Sequence, residues 1–413
     1  MEFRNVKDFE TQMKACGDFA NKNIHHICEQ FGPRECGSEA EKRAQLYMAD
    51  LLKEYADEVT REEFKVHPRA FMSFVPLAGS LLIGSSALNL TSALTSSKFL
   101  SLPSIPLIGT ALAAVLGEFG LYREPLDPLF PEETSGDVIA IRRAKGETKR
   151  RIIISGHTDS APEWTYTYRL GSKGVVLVAG SAVVGLLYNI VATALSLGTK
   201  NESLRRKLAF GGVAFTPIFS LLYAFTNNNR FVPGASDDLS GCFVGNSVMK
   251  FLSDNDIRLE NTEVIVLLTG GEECGLRGTT AFFKAHPEIL NDGVETMFAG
   301  FDTVRDEDYM MIYKADLNGI VKNDMRCCTL QQEAAKKCGL DVPLGTIPLG
   351  STDAAAASRC GCPATSFVAM DPAPARYYHT RLDTADNIKP ETISKGVEIA
   401  LQTIFDFDEK GLG

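Results

Sequence analysis

Four stretches without a single charged side chain set the strongest limit on what this chain can fold into: residues 70–97, 99–117, 174–199 and 208–229. Each has 19 residues or more, enough for a helix rising about 1.5 Å per residue to cross a hydrocarbon layer about 30 Å thick. They arrive in two pairs. An even number of crossings returns the chain to the compartment it left, so the segments around each pair can still build one common site. The pattern predicts two membrane-inserted helical hairpins. Frequent Ser, Thr, Gly and Pro within them leave open soluble helices that form a lid or a dimer interface. Ser181 and Gly185, four apart, allow close helix approach.

Between and around these runs the chain alternates strand-like and helix-like segments. Residues 1–57 read as two helices, the second opened by a capping box in which Ser38 precedes Glu41 by three positions. Strands are expected at 59–66, 137–142, 151–155, 263–269, 297–301, 309–313 and 364–369, and helices at 239–253, 277–286, 326–338 and 390–406. That order suits an α/β fold with a mainly parallel mixed sheet flanked by helices on both faces. The expected division is a catalytic domain in three pieces (1–69, 123–172 and 230–413), interrupted by hydrophobic hairpins at 70–122 and 173–229.

Charge and cysteine usage narrow the function. The net charge of -10 repels polyanions, and no basic stretch is interleaved with aromatics, so no nucleic-acid partner is expected. Ten scattered cysteines, two of them the neighbours Cys327 and Cys328, look like free thiols rather than a disulfide framework. The N-terminal residues are charged throughout and lack the apolar core of a signal peptide.

Five short segments carry chemistry. In IIISGHTD an apolar strand ends at Gly156 and presents His157 and Asp159, where Asp159 can take a hydrogen bond from the imidazole nitrogen turned away from a metal. GASDDLSG (234–241) puts Asp237 and Asp238 on a tight turn ahead of a helix, a place for an acid that bridges two cations as well as for an ordinary helix cap. EVIVLLTGGEECGLRG (263–278) is the most specific. Its strand runs into adjacent Glu272 and Glu273, so one carboxylate can bind metal while the other takes a proton from an activated water. Asp302 follows a strand, and His379 lies within YYHTRLDT (377–384). Cys274, beside Glu273, reads as small buried packing.

In the order His, Asp, Glu-Glu, Asp, His, over about 137–400 less the second hairpin, the sequence resembles the co-catalytic di-zinc aminopeptidases, zinc exopeptidases that include leucyl aminopeptidases, glutamate carboxypeptidases and glutaminyl cyclases. The resemblance implies a phosphorylase/hydrolase-like fold and two zinc ions per chain held by His157, Asp237, Glu273, Asp302 and His379. It implies that Asp237 bridges, that His157 and Glu273 complete one metal and Asp302 and His379 the other, and that Glu272 is the general base. It further implies that Asp159 orients His157, that the Asp237–Asp238 peptide is cis, and that GSTDAAAA (350–357) lies near the substrate end. Asp238 stands where Asn is usual in that family, and the hairpins have no counterpart in its soluble members.

The expected activity is aminopeptidase action on a peptide with a free N-terminus. A carboxypeptidase, an amidohydrolase or a glutaminyl cyclase on the same metal centre is the alternative, and no residue separates them. A non-catalytic membrane scaffold, as in transferrin receptors that lost their metals, is disfavoured because every ligand and the base are present. The hairpin tip KNESLRRK (200–207) has four basic residues against one acid, which taken alone puts the tip in the cytoplasm and the catalytic domain outside. Arg69, Arg123, Arg169, Lys173 and Arg230 flank the opposite ends, and together with the free-looking cysteines they favour a cytosolic catalytic domain. The oligomeric state is not legible.

Overall fold

A computed structural model describes residues 9–348, 350–373 and 375–413. It separates into two compact units, one formed by residues up to Pro68 with Glu132–Ala161 and Phe231–Gly413, the other by Arg69–Pro131 with Pro162–Arg230.

The strands in chain order are β1 (Glu58–Val66), β2 (Glu133–Arg142), β3 (Arg150–His157), β4 (Pro162–Trp164), β5 (Thr226–Phe231), β6 (Thr262–Thr269), β7 (Glu295–Val304), β8 (Met310–Asp316), β9 (Val321–Lys322), β10 (Leu344–Thr346) and β11 (Ala364–Ala369). Nine of them form one sheet in the order β1-β2-β6-β3-β7-β11-β8-β10, with β9 beside β8. The middle strands β6, β3, β7 and β11 run parallel, while β1, β2 and β8 pair antiparallel with their inner neighbours. The sheet is therefore mixed, and parallel where it matters for the site.

Alternate residues of the central strands feed two cores, which is why β3 and β6 read as continuous apolar runs. Ile152, Ile154, Val264 and Val266 pack in the larger core with Met13 and Ile24 of helix Glu10–Gln30, Phe243 and Val248 of helix Ser240–Asp254, and Val397 and Ile404 of helix Pro390–Lys410. Ile153, Ile265, Leu267 and Phe298 face the other way, against Phe282 and Phe283 of helix Arg277–Ala285 and Ala354 and Ala357 of helix Asp353–Cys360. That last helix lies outside the expected set, although the run Ala354–Ala357 is a strong helix former. The other expected helices and strands form within a few residues of their expected ends.

The second unit holds four helical stretches long and apolar enough to cross a membrane: Phe71–Leu94, Lys98–Gly120, Ser172–Gly198 and Glu202–Ala224. It reaches beyond the expected hairpins. Residues Pro162–Trp164 pair with Thr226–Phe231 as a two-stranded ribbon, and Thr165–Leu170 is already helical. The helices are inside out relative to a soluble bundle. On Ser172–Gly198 the buried positions include Asn189, Thr193 and Ser196, whereas Val183, Val184, Leu187, Val191 and Leu195 are each more than half exposed. Ser85, Ser86, Asn89 and Ser92 are likewise buried on the helix Phe74–Leu94. The polar groups bond across the interior: Asn89 Nδ2 donates to Thr193 Oγ1 at 2.8 Å, Ser86 Oγ to Asn189 Oδ1 at 3.1 Å, and Arg205 Nη2 to Ser92 Oγ at 2.8 Å.

Candidate metal centre

The site gathers at the carboxyl edge of the parallel strands, where open α/β sheets place their ligands. His157 is the last residue of β3, Glu272 and Glu273 follow β6 after two glycines, and Asp302 lies near the end of β7. Asp237 sits on the turn that leads into helix Ser240–Asp254, and His379 on the loop after β11. Glu272, His157, Asp237 and His379 are all buried.

Asp237 stands between the two imidazoles. Its Oδ1 is 3.1 Å from His157 Nε2 and its Oδ2 is 3.2 Å from His379 Nε2. His379 Nε2 is also 3.2 Å from Glu273 Oε1. Glu272 Oε2 is 3.9 Å from His157 Nε2. Donor atoms of His157, Asp237 and Glu273 fall within 4.8 Å of one another, as do those of His157, Asp238 and Asp302.

The residues expected to position these groups divide their work differently from expectation. Asp159 does approach the far nitrogen of His157, its backbone carbonyl at 3.2 Å and its Oδ1 at 3.4 Å from Nδ1. Its carboxylate also accepts the amides of Glu272 and Glu273 at 3.1 and 3.2 Å, so it fixes the glutamate turn as well. Asp238 is turned toward backbone, accepting the amides of His157, Gly241 and Thr303 at 2.9–3.1 Å, and the peptide that precedes it is cis. In the GSTDAAAA segment Asp353 is buried and accepts from Thr269 Oγ1 at 2.6 Å. It lines a cavity of about 10 Å³ together with Gly156, His157, Asp238, Asp302 and Thr352.

Two residues of this centre escaped the sequence reading although both lie in YYHTRLDT. Asp383 accepts the amides of Ser236 and Asp237 at 2.9 and 3.0 Å and so anchors the turn that presents Asp237. The ring of Tyr378 stacks on His379 with centroids 3.9 Å apart. The signal available was only proximity to His379, because an Asp or Tyr in a loop carries no pattern of its own.

Electrostatics call for cations. Burial raises the Glu272 carboxyl well above the carboxylate range, with Glu273 and Asp302 adding to it, and burial together with Asp237 pushes Asp302 up to about 7. Burial opposes charging of His379, yet Glu273 and Asp237 push it up to about 10. Asp237 Oδ2 and Glu273 Oε1 are buried without a hydrogen-bond donor among the described residues, each facing the same imidazole nitrogen. One nitrogen cannot serve two carboxylates as well as a divalent ion can. A buried cluster of imidazole nitrogens and carboxylate oxygens fits zinc.

A buried centre of this composition on the carboxyl edge of a mixed α/β sheet suits a divalent metal such as zinc. Residues 221–404 match Peptidase family M28, which bears out the resemblance to the zinc exopeptidases read from the sequence. The matched segment contains Asp237, Glu272, Glu273, Asp302 and His379, while His157 precedes it, set off by the second hairpin. The fold is similar to that of an aminopeptidase from Aneurinibacillus sp. strain AM-1, at 16% identity and TM-score 0.55 over 95% of each chain. It is similar to a zinc aminopeptidase from Bacillus subtilis, at 14% identity and TM-score 0.55 over 94% of each chain. Glutaminyl cyclase from Fimbriiglobus ruber also matches, at 13% identity and TM-score 0.54, over 94% of this chain and 95% of that one.

Proposed function

We propose that this protein is a membrane-inserted zinc aminopeptidase that binds two zinc ions and removes residues from peptides with a free N-terminus. The observation that carries the two-metal reading is the Asp237 carboxylate, whose oxygens face different imidazoles 3.1 and 3.2 Å away. Donor atoms of His157, Asp237 and Glu273 lie within 4.8 Å of one another, but the 3.2 Å contact of Glu273 Oε1 with His379 Nε2 and the grouping of Asp302 with His157 lead us to assign Asp237, Glu273 and His379 to one ion and Asp237, His157 and Asp302 to the other. This exchanges the partners implied by the family resemblance, because Glu273 Oε1 lies against His379.

Bound zinc supplies Lewis acidity, which lowers the pKa of water and polarises a peptide carbonyl. The chain's own groups do the rest. Glu272, free of the ligand set and beside His157, takes the proton of the attacking water and returns it to the leaving amine. Asp159 holds the amides of Glu272 and Glu273 and the far side of His157, and Asp383 holds the turn of Asp237. The cluster's surplus of carboxylates suits the cationic α-amino group of a substrate. Glu272→Gln is expected to keep its metal, measured by elemental analysis, and to lose about 10²-fold or more of its hydrolysis of aminoacyl peptides. Undiminished turnover in that variant removes Glu272 from the role of base. Cleavage of N-blocked peptides alone would instead favour a carboxypeptidase or amidohydrolase.

Membrane insertion is supported by the inside-out helices of the second unit, whose apolar side chains are exposed and whose polar side chains bond inward. Orientation is read from the basic side chains at the two ends of the hairpins. At the tips, Arg205 is buried against Ser92, and Lys98 Nζ donates to the Leu197 carbonyl at 3.0 Å. With Lys200, Arg206 and Lys207 they make five basic residues there, against five at the opposite ends, Arg69, Arg123, Arg169, Lys173 and Arg230. Charge is thus even, and the ten free cysteines are what favour a cytosolic catalytic unit.

A further inference from the structure

Behind the glutamate turn lies a second cluster of donors, two of which, both cysteines, the peptidase reading leaves unused. Cys36, on the loop after helix Glu10–Gln30, and Cys274 are both buried. Their sulfurs and a carboxylate oxygen of Asp159 lie within 4.8 Å of one another. Gly271 passes alongside with φ +66°, and a Cβ on it would stand 3.0 Å from Cys36 Sγ and 3.2 Å from Cys274 Sγ. The absence of a side chain at 271 is what lets both sulfurs approach the turn.

Two buried carboxylates stand beside the sulfurs. Glu41, buried and close enough to act on both Cys36 and Asp159, spends its oxygens on the Gly37 amide and the Ser135 hydroxyl. Arg277 Nε donates to the Cys274 carbonyl at 3.0 Å, and His157 Nδ1 lies 3.4 Å from Asp159 Oδ1. Buried carboxylates are ordinarily paired with a cation or bound to a metal. Two thiols with a carboxylate select a soft divalent ion over magnesium or calcium.

We propose that Cys36, Cys274 and Asp159 form a further cation site, separate from the imidazole–carboxylate centre, for a thiophilic divalent metal such as zinc or cadmium. Binding exchanges the two thiol protons, released to solvent, for two sulfur–metal bonds. It also draws on Asp159, whose oxygens hold the amides of Glu272 and Glu273 at 3.1 and 3.2 Å. A metal that competes for those oxygens loosens the turn carrying both glutamates, so occupancy inhibits the enzyme. The inhibition rests on the catalytic reading above; the site itself does not.

The test is a titration of the reduced, detergent-purified full chain with cobalt(II), followed by the thiolate-to-metal charge-transfer band in the near ultraviolet and, in parallel, by peptide hydrolysis. The expected band saturates at one metal per chain and is missing in Cys36→Ser. That variant keeps its hydrolysis and is no longer inhibited by excess metal. No band in the wild-type chain overturns the site, as does a band that persists in Cys36→Ser. Rapid formation of a Cys36–Cys274 disulfide without any metal uptake overturns it too, and reassigns the pair as a redox couple. A band with equal inhibition of both proteins overturns the regulatory effect. A wild-type band in a chain that hydrolyses no peptide confirms the site and refutes the peptidase reading.

Discussion

Asp383 shows how a single side chain can govern a metal centre without touching a metal. It is fully buried, and its two oxygens receive the amides of Ser236 and Asp237, so the Asp237 carboxylate is aimed from behind. Asp383→Ala leaves two buried amides without an acceptor, a loss of about 1–3 kcal/mol. The expected outcome is a lower melting temperature and incomplete metal retention on dialysis, both read on the purified variant. Away from the centre, burial pushes Asp316 up to about 6 despite donors from Thr352 and Asn323. An unfolded aspartate releases its proton near pH 3.9. The folded chain keeps that proton longer, so this group's contribution to stability is full below about pH 4 and is lost as pH rises through about 6. Asp316→Asn should flatten the pH dependence of denaturant midpoints across that window. The proposed ligands were legible as a chain order of residue types, all but His379 placed at the end of an apolar strand or on a glycine-flanked turn. Asp383 and Tyr378 were not, because their roles depend on where a loop folds back and not on any local pattern.

At the level of elements, the strands were legible from unbroken β-branched runs and the hairpins from their lack of charge. The short edge strands β9 and β10 carry too few residues for periodicity to register. Within the second unit, Gly185 has the role expected of a close-packing position. A Cβ on it would come within 2.7 Å of the Phe219 ring. Gly79 is more constrained still, since a Cβ there would lie 2.8 Å from the Phe219 carbonyl oxygen, a backbone atom that cannot rotate aside. Gly79→Val is therefore expected to push the helix Phe74–Leu94 off the segment bearing Phe219. A fall of about 1–3 kcal/mol in stability should appear as earlier thermal unfolding in detergent, with little change in peptide hydrolysis per folded molecule.

For the molecule as a whole, metal and membrane are the two external dependences that the proposed function predicts. A ligand bound only by the folded chain contributes about 4 kcal/mol when present at a thousandfold excess over its Kd. Chelation by phenanthroline should thus abolish hydrolysis and lower the melting temperature together, with both restored by zinc. Alkaline carbonate should leave the chain in the membrane pellet, since four helices with exposed Val and Leu faces do not partition into water. Release into the supernatant would mean that the apolar faces are covered by protein.

The amino-acid sequence alone determined the class of chemistry, the α/β alternation and the two charge-free hairpins, because ligand types at strand ends, periodicity and missing charge are local properties. Only the tertiary structure decided that Glu273 stands with His379, that Asp238 serves backbone amides, and that two cysteines far apart in sequence meet behind the catalytic turn. Those outcomes depend on side-chain direction and on contacts between segments brought together by the sheet order. They have no counterpart in the spacing of residues along the chain.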